Sequence, residues 1–440
     1  MINVYNNLIL NNNVSLNGVL NIINFIILSL LPLMYFTQIL NLFISLFTKP
    51  KKFSNSEKLH NFGYIICAHN EEEVIDKLID SIYKQDYPKE LMHIFVVCDN
   101  CTDDTAKIVE SLGCNVIVRN DLKNIGKGYA LDCGIKEIFE QYSHLAIDAY
   151  FVFDADNLLS KDYTKNMNNL FSTGCKVATS YRNSLNFDEN AYSASSSIMF
   201  LRECEVVHKV RSRCNIGTYV SGTGFYISSD ILKDLGGWPF YTLIEDIEFS
   251  IYCANNKIKI GYAHDAIFYD EQTENYSDSF NQRLRWCKGN VQCFCKEHHH
   301  LAKNFFKKGN FSCFEMYAHT IPIPAITMIW SVLYVIILSV LAIVNDLSFS
   351  EFYYSGISNI LMYYLAVIVF CFIQGLYTVI RARKRIKCSK FKLVLYLLVF
   401  PFYALWLGAI LSISLFMNVK WKKIDHNNKK TISDMEADYE

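Results

Sequence analysis

Residues 150–157 read YFVFDADN, an aromatic and β-branched run that ends in Asp154 and Asp156, one residue apart. Such a run fits a strand buried on both faces, as parallel strands are. The pattern repeats upstream: FGYIICAHN (62–70) and HIFVVCD (93–99) are apolar runs with polar ends, and NVIVRN (115–120) is a shorter one. Helical patterns lie between them. In EEEVIDKLIDSIYKQ the residues Val74, Ile75, Leu78, Ile79 and Ile82 fall at i, i+3 and i+4 spacing, and the leading acids suit a helix N-terminus. TDDTAKIVESL reads as a helix with Thr102 as its N-cap, and a third helix is expected from about Tyr129. Strand and helix in alternation predict an α/β domain with a mostly parallel sheet. Ligands in such sheets bind beyond the carboxyl ends of the strands, which would gather Asn70, Asp99, Asp154 and Asp156 at one crevice.

Composition adds a membrane part. Of 440 residues, 51% are hydrophobic and only 19% charged, which is apolar for a wholly soluble chain. Residues 19–47 carry no formal charge and are long enough to cross a bilayer, as are runs near 320–344, 357–380 and 393–417. The expected organisation is an N-terminal span (1–54), a central catalytic domain (55–300), and a C-terminal membrane region (301–440) with a short basic tail. A cleaved signal peptide is disfavoured, because no Lys or Arg precedes the first run and Lys49, Lys51 and Lys52 follow it. Those lysines, together with Lys303, Lys307, Lys308 and RARKRIKCSKFK (381–392), place the central domain on the cytoplasmic side of a multi-pass plasma-membrane protein by the positive-inside rule. The basic stretch KWKKIDHNNKK (420–430) would then lie outside if 393–417 crosses once. Pro401 and Gly408 interrupt that run, so a re-entrant or interfacial hairpin returning the tail is the other reading.

The formal net charge of −1 carries no nucleic-acid footprint. Fifteen cysteines, an odd number mostly in a domain assigned to the cytosol, do not read as a disulfide framework. CDNC (98–101) reads as small buried residues beside a loop, and His298, His299 and His300 as a solvated helix end.

Several clusters bear chemistry. Asp154 and Asp156 can offer oxygen ligands to Mg²⁺ or Mn²⁺, although an Asx turn is the bland alternative. In NIGKGYAL (124–131) there is no Walker spacing, yet Lys127 between Gly126 and Gly128 before a helix suits phosphate oxygens, or a plain turn. SGTGFYIS (221–228) is a glycine turn entering a strand. In LIEDIEFS (243–250), Glu245 and Asp246 open a helix, either as favourable charges at its dipole or as a general base. QRLRW (282–286) sits in a helix expected from Tyr276 to about Cys295, where Gln282, Arg285 and Trp286 share a face and Arg283 does not share one with Arg285. That face can grip a diphosphate and stack a sugar, or lie on a membrane.

In this order AHNEE, VVCDNCTDDTA, GKGYAL, FDADN, SGTGF, GGW, IEDIEFS and QRLRWCKG resemble the membrane-bound glycosyltransferases of family 2, the group of cellulose, hyaluronan and poly-N-acetylglucosamine synthases. The likeness spans about 62–290. It implies a glycosyltransferase A fold, Rossmann-like and flanked by transmembrane helices. It implies inverting transfer from a UDP-sugar, UDP-GlcNAc or UDP-glucose, to a growing β-linked polysaccharide, with Mg²⁺ or Mn²⁺. By the same resemblance Asp99 meets the uracil, with Asn70 and Glu71 around the uridine. Asp154 and Asp156 form the DxD that places the metal on the diphosphate, with Lys127 adding charge. Asp246 is the base, and Gln282, Arg285 and Trp286 match QxxRW, grouped with Glu245 and Arg283 near the acceptor and the leaving diphosphate.

The chain departs from the pattern at Cys98, where many relatives carry a second acid, and at SGTGF, which does not carry the sugar over. With so few spans, a translocation channel would call for a homo-oligomer or an accessory subunit. Two rivals stand beside this reading: single transfer to a lipid acceptor, and a membrane sensor that binds nucleotide without turnover. Intact Asp154, Asp156, Asp246 and Arg285 speak against the sensor.

Overall fold

The computed structural model describes residues 16–344, 353–424, 426, 428 and 430–437; positions 1–15 of the expected first region lie outside the described residues, as do 425, 427 and 429 of the basic tail. From the N-terminus, α1 (Leu16–Met34) and α2 (Phe36–Phe47) precede β1 (Phe62–Ala68), α3 (Ile75–Tyr83), β2 (Met92–Asp99), α4 (Thr105–Ser111), β3 (Asn115–Arg119), α5 (Lys127–Gln141) and β4 (Ala149–Asp154). Next come β5 (Leu158–Leu159), α6 (Tyr163–Phe171), β6 (Val177–Ser184), α7 (Ala191–Arg202), α8 (Lys209–Arg213), β7 (Phe225–Ser228), α9 (Ser229–Leu235), α10 (Glu245–Asn255) and β8 (Ile260–Asp270). The C-terminal part is helical: α11 (Tyr276–Lys308), α12 (Phe311–Thr320), α13 (Ile323–Val344), α14 (Ser358–Ala382), α15 (Lys390–Ser414) and α16 (Ile432–Ala437).

The strands join one sheet in the order β3-β2-β1-β4-β7-β6-β8-β5. β3, β2, β1 and β4 run parallel, and β7 enters antiparallel between β4 and β6. Period-two alternation divides each strand between two apolar layers. Phe62, Tyr64 and Ile66 of β1 join Phe151 and Phe153 of β4 on the layer covered by α3 and α6. Ile65, Val97 and Val152 face the opposite layer, built with α5, α10 and the fully buried Trp238.

Four helical segments among the described residues, Gly18–Phe47, Ile323–Val344, Ser358–Arg385 and Lys390–Ser414, are long and apolar enough to cross a membrane. The sheet domain with flanking apolar helices is the expected fold. Close helix packing depends on small residues: a Cβ on Gly375 of α14 would lie 2.8 Å from the Phe400 ring of α15.

Three local expectations are corrected. Thr102 does not cap α4: Asp104 holds the N-cap position, the Asp103 carboxylate accepts from the Thr105 amide and hydroxyl, and the Thr102 amide donates to Asn70 Oδ1 at 2.7 Å. α11 runs on to Lys308, so His298–His300 lie within a helix rather than at its end. The last apolar run is one continuous helix through Pro401 and Gly408, with no hairpin. It lies along α7 and α11 and touches the sheet domain near both ends, where Lys392 donates to the Asp188 carbonyl and Lys288 donates to the Ser414 carbonyl, each at 3.0 Å. The stretch after it therefore meets the sheet domain. There α16 packs Ile432 and Met435 on Leu158, Leu185 and Tyr269.

Candidate active site

The carboxyl ends of β1, β2 and β4 open on one cavity of about 1070 Å³. Its wall carries Glu71, Asp99, Lys127, Asp154, Asp156, Glu245, Asp246, Gln282, Arg283, Arg285 and Trp286, so eleven of the twelve expected site residues share one space. Asn70 is the exception. Its backbone takes a positive φ of 57°, and its side-chain oxygen accepts from the Thr102 amide; it lines a smaller adjoining hollow of about 270 Å³. Its work is to hold the CDNCT loop.

At the β2 end, Asp99 is buried, and Arg119 Nη1 donates to its Oδ1 at 2.5 Å. Burial raises the Asp99 pKa, and the Arg119 guanidinium opposes that rise. The same guanidinium donates to Asp121 and to the Asn124 carbonyl, which ties the β3 end and the next loop to Asp99. Arg119 escaped the sequence reading as an ordinary strand residue. Its signal was a cation closing β3 beside an acid closing β2. Cys98 alternates to the other side and is buried in the apolar layer, whereas Cys101 is half-buried and both thiols are free.

β4 ends at Asp154. Its amide donates to the Thr223 hydroxyl at 3.0 Å, which docks the SGTGF turn on the strand end. Lys127 bonds the Asp154 carboxylate and donates to the Gly222 carbonyl at 2.9 Å. The neighbouring glycine has a structural reason: a Cβ on Gly128 would lie 2.2 Å from the Phe240 carbonyl oxygen. Gly128 thus lets α5 approach the GGWPF segment and bring Lys127 to the DxD.

Asp156 faces the tail. His426 Nε2 lies 3.7 Å from its carboxylate and His426 Nδ1 lies 3.2 Å from Glu71. Burial opposes charging of this imidazole, but Asp156, Glu71 and Glu271 outweigh it and push its pKa up to about 10, so it is cationic at neutral pH. Trp421 packs edge-on against His69 with centroids 5.3 Å apart. The stretch after α15 thus crosses the DxD side of the cavity, a placement no local pattern announces.

Glu245 and Asp246 open α10, both buried. Burial and the Asp246 charge push Glu245 up to about 7. Burial raises Asp246 as well, opposed by the Ile247 and Gly222 amides, Lys127 and Arg285. Two adjacent carboxylates between two cations suit a group that must take a proton near neutral pH. Opposite them, Arg285 donates to the Leu243 carbonyl at 3.0 Å. Arg283 is spent on structure: it is 1% exposed, donates to Tyr403 at 2.7 Å, to Gln282 and to Ser196, and stacks on Trp286 at 4.1 Å. It orients Trp286 and pins α11 to α15 and α7. Glu203, half-buried, accepts from the Ser221 hydroxyl at 3.4 Å; it also lines the cavity and was not singled out from sequence.

Among the described residues no set of three or more His, Cys, Asp or Glu side chains is gathered to hold a metal alone. Asp154 and Asp156 could supply carboxylate oxygens from the DxD, with the other ligands from substrate and water. The cations Lys127 and His426 now stand beside these carboxylates.

Residues 60–289, just over half of the chain, match the model of the family described as glycosyltransferase-like family 2. A probable glycosyltransferase, YdaM, of Bacillus subtilis (strain 168) is 28% identical over 282 residues, which is 59% of this chain and 61% of that protein. A β-monoglucosyldiacylglycerol synthase of Synechocystis sp. is 26% identical over 239 residues, 52% of this chain and 47% of that protein. The chain thus matches about half to three-fifths of these relatives' lengths. The mannosyltransferase PcManGT of Pyrobaculum calidifontis, solved with GDP-Man and Mn²⁺, superposes with a TM-score of 0.57 at 16% identity, over 89% of this chain and 98% of that one, a likeness of fold. On the match that covers more than half of its length, this chain belongs to glycosyltransferase-like family 2.

Proposed function

We propose that the chain is a membrane-bound, inverting, metal-dependent glycosyltransferase that moves a sugar from a UDP-sugar, UDP-glucose or UDP-GlcNAc, to a hydroxyl delivered from the membrane. One observation supports this above others. The cavity that joins Asp99, the DxD, Asp246 and the QxxRW face continues between the apolar helices. A Mg²⁺ or Mn²⁺ bound through Asp154 and Asp156 would neutralise charge on the diphosphate.

The chain's own groups divide the remaining work. Asp99, fixed by Arg119, meets the base. Asp246 takes the acceptor proton as the acceptor oxygen bonds to the anomeric carbon from the face opposite the diphosphate, which inverts that centre. Lys127 and Arg285 stabilise negative charge on the departing UDP, usually the largest catalytic contribution. Trp286 offers a face for a sugar ring.

For the acceptor we favour a lipid over a growing polysaccharide. The membrane end of the cavity is walled largely by apolar side chains, aliphatic and aromatic, and one relative is named for a glucosylated diacylglycerol. The polymer reading keeps Trp286 and the QxxRW face in its support. The basic clusters at 49–52, 303–308 and 381–392 favour a catalytic domain on the cytoplasmic face of the plasma membrane.

UDP release by membranes containing the protein, measured across UDP-sugars with Mn²⁺ or Mg²⁺, tests the proposal. Release with one sugar, abolished by chelator and by Asp156→Ala, is the expected result. UDP binding without release for every sugar and acceptor would favour the sensor. Product size then separates the acceptors: a single-sugar lipid is expected, and a ladder would return the polymer.

A further inference from the structure

The membrane end of the cavity holds one charge that the reaction above does not use. Arg202 closes α7 and lines the cavity, and its Nη1 donates to Gln38 Oε1 of α2 at 2.6 Å. Arg119, Arg182 and Arg211 are each paired with a carboxylate. Arg202 takes part in none of the ion pairs among the described residues. Its chain neighbour Glu203 accepts from the Ser221 hydroxyl at 3.4 Å and feels the Arg202 charge without forming an ion pair with it. Gln374 of α14 lines the same cavity, is 5% exposed, and its Nε2 has no hydrogen-bond partner. A buried amide donor without a partner is costly and asks for a ligand or water. The same cavity is lined by apolar side chains of the membrane helices, Leu31 and Pro32 from α1, Val367 and Phe370 from α14, Leu407 and Leu411 from α15. A guanidinium and an orphan amide, both donors, on a cavity whose wall continues over apolar side chains of membrane helices, match a planar-fork phosphate contact with hydrocarbon beyond it.

We propose that this end of the cavity binds a phosphate-bearing lipid, and that the acceptor is such a lipid. Arg202, held in place by Gln38, and Gln374 grip the phosphate. The acyl or prenyl chains lie between α1, α14 and α15, and a headgroup hydroxyl beyond the phosphate reaches Asp246. That hydroxyl gives its proton to Asp246, its oxygen bonds to the anomeric carbon, the bond to the diphosphate breaks, and UDP leaves. The phosphate itself is not transferred. The assignment of this lipid as acceptor rests on the transferase reading above; the lipid site does not.

The experiment compares two lipids with the same oleoyl chains and a free hydroxyl, dioleoylphosphatidylglycerol and dioleoylglycerol, for binding to the full chain in detergent and for UDP release. Wild type should bind the phospholipid at least tenfold more tightly. Arg202→Gln should remove that preference while leaving dioleoylglycerol and UDP binding unchanged, and Arg202→Lys should restore part of it. Unchanged UDP binding shows that the variant is folded. Equal binding of the two lipids, or a preference that survives Arg202→Gln, overturns the proposal. So does displacement of the lipid by equimolar inorganic phosphate, which would mean a site for free anions. A preference without UDP release from any sugar would keep the lipid site and sink the transferase reading, whereas release with the neutral lipid alone would do the reverse.

Discussion

At the scale of single residues, the site turns on what each charge has beside it. Glu245 and Asp246 share a buried helix start, and burial, followed by the Asp246 charge acting on Glu245, raises the pH at which the pair holds its second negative charge. The acid limb of the rate profile should therefore fall near neutral pH rather than near 4. Glu245→Gln removes a neighbouring negative charge, so it should move that limb to lower pH; a limb that stays put would take Glu245 out of the titration. Asp246→Asn should cost at least about 10²-fold in turnover, the lower range for a general base. Its UDP-sugar affinity, read by calorimetry, should stay close to wild type.

The placement of a residue at the cavity was legible where a strand or helix delivers the side chain directly, as at Asp99, Asp154 and Asp246. What a side chain contacts was not legible where backbone conformation or a distant partner decides. Asn70 enters the left-handed region and turns its amide onto a loop. Arg283 lies one helical turn from Trp286 and stacks on it, although the two-residue spacing from Arg285 set it aside.

Elements were the most readable level. Each central strand is a short apolar run with buried residues on both faces, and the helices between them keep one apolar stripe. What spacing did not contain was where helices stop. α11 continues through the three histidines because nothing breaks it before Gly309, which supplies the left-handed C-cap. α15 passes through Pro401 because a proline removes one backbone hydrogen bond without forcing a hairpin when α7, α11 and α14 pack around the helix. Closeness between elements was equally hidden, as at Gly128. Gly128→Ala should push α5 away from the Phe240 carbonyl and lower stability by about 1–3 kcal/mol, as overpacking does. Because Lys127 rides on the same turn, the donor KM should rise with it. A stability loss without a KM change would show that Lys127 is positioned independently of that contact.

For the whole molecule, the DxD side of the cavity is closed by a segment from the far end of the chain, over a domain that ends before it. Sequence left two routes for that segment, because hydropathy describes a run but not the surface it lies on. The path of α15 along α7 and α11 brings Trp421 and His426 to the site, and α16 anchors the far side of the segment on the sheet domain. On the function proposed above, donor and metal approaching Asp156 would meet this segment. Of the five tryptophans, Trp421 alone sits on it. The molecule thus carries its own optical gauge. Emission that disappears in Trp421→Phe should shift to the red when UDP and Mn²⁺ displace the segment, so occupancy of the catalytic centre can be followed in real time without a label.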